Sequence, residues 1–266
     1  MNDPVDVVAL ILAAGRGTRM KSDMPKVLHP VAGKAMVEHV VDRLHKSGIQ
    51  DICMVISADL EPWQEFLCAH PEIRVCIQKV RNGTAGAVGS AAGCLGQASD
   101  ISYASHSLVQ GEAFRHEFVL ICAGDTPALE SSDLQQFVRF CSTRSADVGV
   151  LGMEVPDPYG YGRLLTEKDG SLIAIVEEKE ADDEQRRIRL CNSGVIYARV
   201  KTLFHLLEDL SACNQQEEYY LTDIVARAHE QGYCALAFRT RNWQNFQGVN
   251  TPDQLSRVEQ FLHSGS

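Results

Sequence analysis

Val7-Val8-Ala9-Leu10-Ile11-Leu12-Ala13-Ala14-Gly15-Arg16-Gly17-Thr18-Arg19-Met20 opens the chain with an apolar run that ends in a glycine-bearing, basic loop. The run, extended back to Val5, is rich in β-branched residues and lacks polar alternation, which predicts a strand covered on both faces. Ile52–Ser57 and Phe118–Ala123 read the same way. Between the first two runs lies a helical pattern, Met36-Val37, Val40-Val41 and Leu44, closed by Gly48 with His45 and Lys46 in the last turn. Thr84 to Leu95 is rich in Ala and Gly and predicts a helix packed closely on the sheet. This alternation implies right-handed crossovers and an α/β class fold: a Rossmann-like open, mixed, mostly parallel sheet flanked by helices.

The loop after the first strand sits at the C-terminal edge of the expected sheet, where open α/β folds bind ligands. Gly15 and Gly17 allow unusual φ angles and close approach of backbone N–H groups to phosphate oxygens. Arg16, Arg19 and Lys26, which follows Pro25, can concentrate positive charge there. The loop lacks the third glycine of the dinucleotide fingerprint and the G-x-x-x-x-G-K-[ST] spacing of a P-loop, so neither an oxidoreductase nor an ATPase is indicated.

The second half differs in texture. Pro156-Asp157-Pro158-Tyr159-Gly160-Tyr161-Gly162 is turn-rich, and Arg163–Glu167 and Ser171–Glu177, joined at Lys168-Asp169-Gly170, predict a hairpin. Val148–Val155 and Asn192–Ala198 are further candidate strands, and Thr251-Pro252-Asp253 starts a helix with Leu255, Val258 and Leu262 on one face.

The 266 residues are 45% apolar, enough for a sizeable core, and carry 25 Lys and Arg against 35 Asp and Glu, a net charge of −10. That balance argues against a general nucleic-acid coat but not against a phosphate-bearing small ligand, which needs only a few local cations. No apolar run approaches the ~20 residues of a membrane span, and no basic segment precedes the first run, so a soluble, cytoplasmic protein is expected. The nine cysteines are scattered without a C-x-x-C pair and read as reduced structural thiols, not as a zinc or disulfide framework.

L-A-A-G-x-G-T-R-M followed by Pro25-Lys26 resembles the signature of sugar-1-phosphate nucleotidyltransferases. The continuation through Lys34 is most similar to the uridylyltransferase domain of bacterial N-acetylglucosamine-1-phosphate uridyltransferases. Matches at Gln78 to Thr84, Gly124-Asp125, Tyr161-Gly162-Arg163, Val176 to Lys179, Asn192 to Gly194, Glu218 to Asp223 and Gly248 to Asn250 extend the resemblance over nearly the whole chain. It implies UMP transfer from UTP to N-acetylglucosamine-1-phosphate with release of pyrophosphate, dependent on Mg2+. The implied nucleotide contacts are Leu12, Ala13, Ala14, Gly15, Gln78, Gly83 and Thr84; the sugar contacts are Ala123, Gly124, Gly162, Glu177 and Asn192. Arg19 and Lys26 would face phosphates as catalytic residues, and Asp125, also catalytic, would hold the metal with Asn250.

The resemblance also implies one domain: a nucleotide-binding core over about 1–155, a smaller strand-rich sugar-binding part over about 156–250 and a C-terminal helix over 251–266. Hexapeptide repeats of a left-handed β-helix are missing, so no acetyltransferase activity is expected. Asn82-Gly83-Thr84-Ala85-Gly86-Ala87 replaces the usual L-G-T-G-H-A, and Ala123 stands where Tyr is common. Base and sugar identity therefore stay open, alongside a non-catalytic, nucleotide-sugar-sensing homologue as an alternative.

Overall fold

A computed structural model describes residues 6–15, 17–97, 101–102, 113–212 and 218–264. Arg16 and Cys213 lie outside these residues. The strands are β1 (Val7–Leu12), β2 (Pro30–Val31), β3 (Lys34–Ala35), β4 (Ile52–Ser57), β5 (Arg74–Gln78), β6 (Phe118–Ala123), β7 (Val148–Glu154), β8 (Arg163–Thr166), β9 (Leu172–Val176), β10 (Leu190–Arg199) and β11 (Ala235–Thr240). The helices are α1 (Met36–Ser47), α2 (Gln64–Ala69), α3 (Thr84–Ser90), α4 (Ser131–Thr143), α5 (Val200–Glu208), α6 (Asp223–Glu230) and α7 (Pro252–Ser264).

The main sheet runs β11-β7-β10-β6-β1-β4-β5, with the β8–β9 hairpin attached through β10. β5, β4, β1 and β6 pair in parallel, as do β7 and β11, whereas β10 is antiparallel to both its neighbours. The expected mixed, mostly parallel sheet is thus present, and β10 from the second half is inserted between two strands of the first.

Alternation along β1 shows why the apolar runs lack a polar phase. Val8 and Leu10 face one core with Val88 of α3, Leu203 of α5 and Ile224 of α6. Val7, Ala9 and Ile11 face another with Val40 of α1, Phe66 of α2 and Phe137 of α4. Helices thus cover both faces, so every residue of the strand is buried except the half-buried Leu12. α1 starts with the Glu38 carboxylate accepting from Ala35 N at 2.7 Å and ends at Gly48 with φ 99°.

The helix expected from Thr84 to Leu95 ends at Ser90. Ser90 Oγ donates to Gly86 O, and the following turns reach Gly96 at φ 66°, a conformation that does not continue a helix. α7 closes the molecule: Val258 packs with Val31, Met36, Ala128 and Val249, and Glu259 accepts from Ala32 N at 3.0 Å. Among the described residues no helix is long and apolar enough to cross a membrane.

Gly149 in β7 lets α4 pack close on the sheet, because a Cβ there would lie 2.3 Å from Cys141 Sγ. Gly149→Ala should therefore cost about 1–3 kcal/mol through overpacking. Urea unfolding should show a lower midpoint at constant slope; an unchanged midpoint would mean that α4 yields freely.

Candidate functional site

Parallel register brings the expected residues to one edge. Leu12 at the end of β1 pairs with Ala123 at the end of β6; Gly124 N donates to Leu12 O and Ala13 N to Val55 O. The loop Ala13–Gly15 and Asp125 therefore leave the sheet side by side. Of the two loop glycines only Gly17 is left-handed, at φ 60°; Gly15 has no positive φ, contrary to expectation. Gly17 is constrained a second time, since a Cβ there would stand 2.5 Å from Lys26 Cβ. The absence of a side chain at 17 is what lets Lys26 lie against the loop.

Four side chains from distant parts of the chain converge here. The Lys26 ammonium contacts the Asp125 carboxylate and donates to Asn250 Oδ1 at 2.9 Å. Arg19 Nη2 donates to the same Asn250 oxygen at 3.0 Å. Lys26 and Asp125 are largely sheltered from water, so their attraction is screened less than that of a surface pair. Asn250 is held by its neighbour, because Val249 N donates to Asp125 O at 2.9 Å, and by its own N–H, which donates to Gln254 Oε1 at 2.7 Å. Asp125 and Asn250 thus turn two hard oxygens toward a single positive centre, a donor set that suits Mg2+.

At the end of β5, buried Gln78 donates through Nε2 to Gly83 O at 3.1 Å and to Asn82 Oδ1 at 3.4 Å. Gly86 makes room for this: a Cβ at 86 would lie 1.9 Å from Asn82 Oδ1. Gly83, at φ 107°, is pressed against Tyr219, whose N–H donates to Asn82 O and whose carbonyl accepts from Ala85 N. Thr84 Oγ1 accepts from Leu221 N at 2.9 Å. The segment 82–84 is thereby braced by 219–221.

A cavity of about 290 Å3 lies next to Thr84, lined by Gly160, Glu177, Glu178, Lys179, Glu218 and Tyr220. Gly162 and Asn192 flank its wall. Asn192 N donates to Gly162 O at 2.8 Å, and a Cβ at 162 would sit 3.4 Å from Glu177 Oε2. Glu177 accepts from Thr222 Oγ1 at 3.1 Å, and burial pushes its carboxyl up. Glu178, also on the cavity wall, pairs at 2.6 Å with Arg163, which is 1% exposed. A larger cavity of about 780 Å3, bordered by Leu165, Arg239 and Trp243, contains none of the expected site residues.

The structure brings together Arg19, Lys26, Asp125 and Asn250; it separately brings together Gln78, Gly83 and Thr84, and Gly162, Glu177 and Asn192. Sequence reasoning flagged Asn82 and Gly86 only as departures from the usual residues, not as the pair that packs against Gln78, and did not assign roles to Tyr219 and Thr222.

Residues 9–188 match the MobA-like NTP transferase domain. The bifunctional protein GlmU of Bartonella quintana is 41% identical over 256 residues, covering 95% of this chain and 52% of that protein. GlmU of Bacillus subtilis is 35% identical over 254 residues, covering 96% and 52%. This chain thus spans about half the length of the curated relatives it matches. A UDP-glucose pyrophosphorylase complexed with UDP-glucose shares the fold at a TM-score of 0.73, with 15% identity over 97% of this chain and 99% of that one. HddC from Yersinia pseudotuberculosis complexed with GMP-PN shares it at 0.64, with 20% identity over 96% and 99%.

Asp223, the first residue of α6, has its carboxyl raised to about 6 by burial and then by the charges of Glu180 and Glu177. A carboxyl raised on folding contributes stability below its unfolded pKa of about 4 and loses it as pH climbs through the folded value. Asp223→Asn, which cannot ionise, should gain in Tm relative to the parent as pH rises from 4 to 7. A difference in Tm that is constant across this range would contradict the assignment.

Proposed function

This chain belongs to the family of MobA-like NTP transferase domains, and on that premise we propose that it transfers UMP from UTP to N-acetylglucosamine-1-phosphate. The products are UDP-N-acetylglucosamine and pyrophosphate. The observation that carries the proposal is the meeting of Arg19, Lys26, Asp125 and Asn250 beside the glycine loop. GlmU relatives covering nearly all of this chain support the choice of substrates.

A phosphate oxygen of the sugar-1-phosphate attacks the α-phosphorus of UTP, and the bond from that phosphorus to the oxygen bridging to the β-phosphate breaks. Two polyanions must be brought into line, so positioning and charge neutralisation outweigh covalent chemistry. The backbone of Leu12–Gly15 lies against the nucleotide, and Arg19 faces the leaving pyrophosphate. Lys26, a point charge on a flexible stem, can exchange its contacts with Asp125 and Asn250 for phosphate oxygens. Asp125 and Asn250 would hold Mg2+, which when bound neutralises phosphate charge. Ala123 and Gly124 border the acceptor beside Asp125, while Gly162, Glu177 and Asn192 bind its hydroxyl and N-acetyl groups.

For the base, both hydrogen bonds of Gln78 run from Nε2, which leaves Oε1 as the acceptor for the N–H on the pairing edge of uracil. Asn82 and Gly86 act together in this orientation, and their departure from the usual residues supports a second reading, in which the same reaction takes another nucleotide or sugar phosphate.

Pyrophosphate release should be measured with Mg2+ and with a chelator, crossing UTP, dTTP, GTP and CTP with N-acetylglucosamine-, glucose-, glucosamine- and mannose-1-phosphate. The proposal expects UTP with N-acetylglucosamine-1-phosphate to be fastest and the chelator to abolish turnover. A different best pair selects the second reading, and silence from folded protein selects a sensing homologue. Lys26→Ala and Asp125→Ala should each lower turnover by at least roughly 10²-fold, as removal of one transition-state electrostatic contact does. Gly86→Ala, by evicting Asn82 from Gln78, should reduce the preference for UTP over CTP by up to roughly tenfold, the worth of one hydrogen bond. Equal preference in Gly86→Ala and parent would detach Asn82 from base selection.

A further inference from the structure

Cys53, Cys76 and Cys94, far apart in the sequence, meet in the interior. Their sulfur atoms all lie within 4.8 Å of one another, Cys53 Sγ and Cys76 Sγ are 3.4 Å apart, and all three residues are 0% exposed. Parallel register explains the meeting. Cys53 on β4 pairs with Arg74, and Val55 with Cys76, so the two cysteines are diagonal neighbours on one face of the sheet. Cys94 reaches the same core from the turns after α3. The three are reduced, buried thiols, as expected; that they meet is the work of register and not of sequence spacing.

A second observation comes from Arg74. Its Nη1 is buried without a hydrogen-bond partner, and its guanidinium lies 3.7 Å from the centroid of the Phe114 ring. Phe114 N donates in turn to Cys94 O at 2.8 Å. Arg74, the register partner of Cys53 and two residues before Cys76, thus keeps one buried N–H unpaired next to the cluster.

We propose that Cys53, Cys76 and Cys94 form a closed site for a thiophilic monovalent cation, Cu(I), with Arg74 as its counter-charge. Three sulfurs each about 2.3 Å from a central ion stand about 4 Å from one another, which the cluster meets with small side-chain adjustments. Two thiols lose their protons to water as the ion binds and the third remains a thiol. Cu(I), two thiolates and Arg74 then sum to zero charge, which a dry interior requires. Zn2+ fits less well: a closed zinc site is tetrahedral, and no fourth His, Cys, Asp or Glu joins the group among the described residues. Thiolate softness selects Cu(I) over hard cations. The site is independent of the proposed transfer reaction.

The test is an anaerobic titration of Cu(I), buffered by a chromophoric chelator, into a chain carrying Cys68→Ser, Cys213→Ser and Cys234→Ser, which removes the exposed thiols Cys68 and Cys234 together with Cys213. One ion per chain should bind, with an ultraviolet thiolate-to-copper band, release of two protons and a raised Tm. Cys76→Val should abolish the band, and Arg74→Gln should weaken binding at least tenfold while Arg74→Lys restores most of it. Circular dichroism establishes that each variant is folded; should Cys76→Val not fold, Cys94→Ala supplies the same readout. Failure of the background chain to compete with the chelator would overturn the proposal. So would an undiminished band in either folded cysteine variant.

Discussion

The in-step pairing of β1 with β6 is the constraint from which the site follows. Because Leu12 and Ala123 end level with each other, the glycine loop and Asp125 emerge together at one edge. A one-residue slip would exchange the faces of the strand and put Val8 and Leu10 against the wrong helices. Packing on both faces therefore sets not only the stability of the sheet but also where a lysine and a carboxylate can meet. α7 completes the arrangement from outside, holding Ala32 in the turn after Lys26 and packing on Val249, the residue before Asn250.

The second half of the chain acts on the first through backbone hydrogen bonds as well as side chains. Tyr219 and Leu221 pin residues 82–85 in place, and Gly83 admits no side chain because Tyr219 backbone already occupies that space. The segment that orients Gln78 is thus built jointly by two stretches more than a hundred residues apart. Thr222, next in line, reaches the other way to Glu177. One short segment couples the two cavity walls, so a change at 219–222 should be felt on both.

How much of this was legible depends on range. The three apolar runs, the α1 stripe closed by Gly48 and the hairpin around Asp169 were readable because burial and turn chemistry are written in neighbouring residues. The placement of Lys26 beside the loop was readable too, being a matter of ten residues. Asn250 was visible without resemblance only as a polar residue before a helix, because the cations its side chain meets, Lys26 and Arg19, lie 224 and 231 residues away and no local pattern carries that information. The same limit hid the cysteine cluster and the Arg163–Glu178 pair, whose charges look like a solvated run until the fold buries the arginine. Family likeness supplied what periodicity could not and exposed the departures at Asn82 and Gly86, though not the packing through which they hold Gln78.

The insertion of β10 between β6 and β7 has a consequence for biosynthesis. β6 is complete at Ala123, but its second edge stays open until residues 190–199 have been made. At about 5–20 residues per second that interval lasts several seconds, during which an apolar strand with unpaired backbone groups is exposed on the nascent chain. The first half therefore carries an open sheet edge until the second half threads the gap.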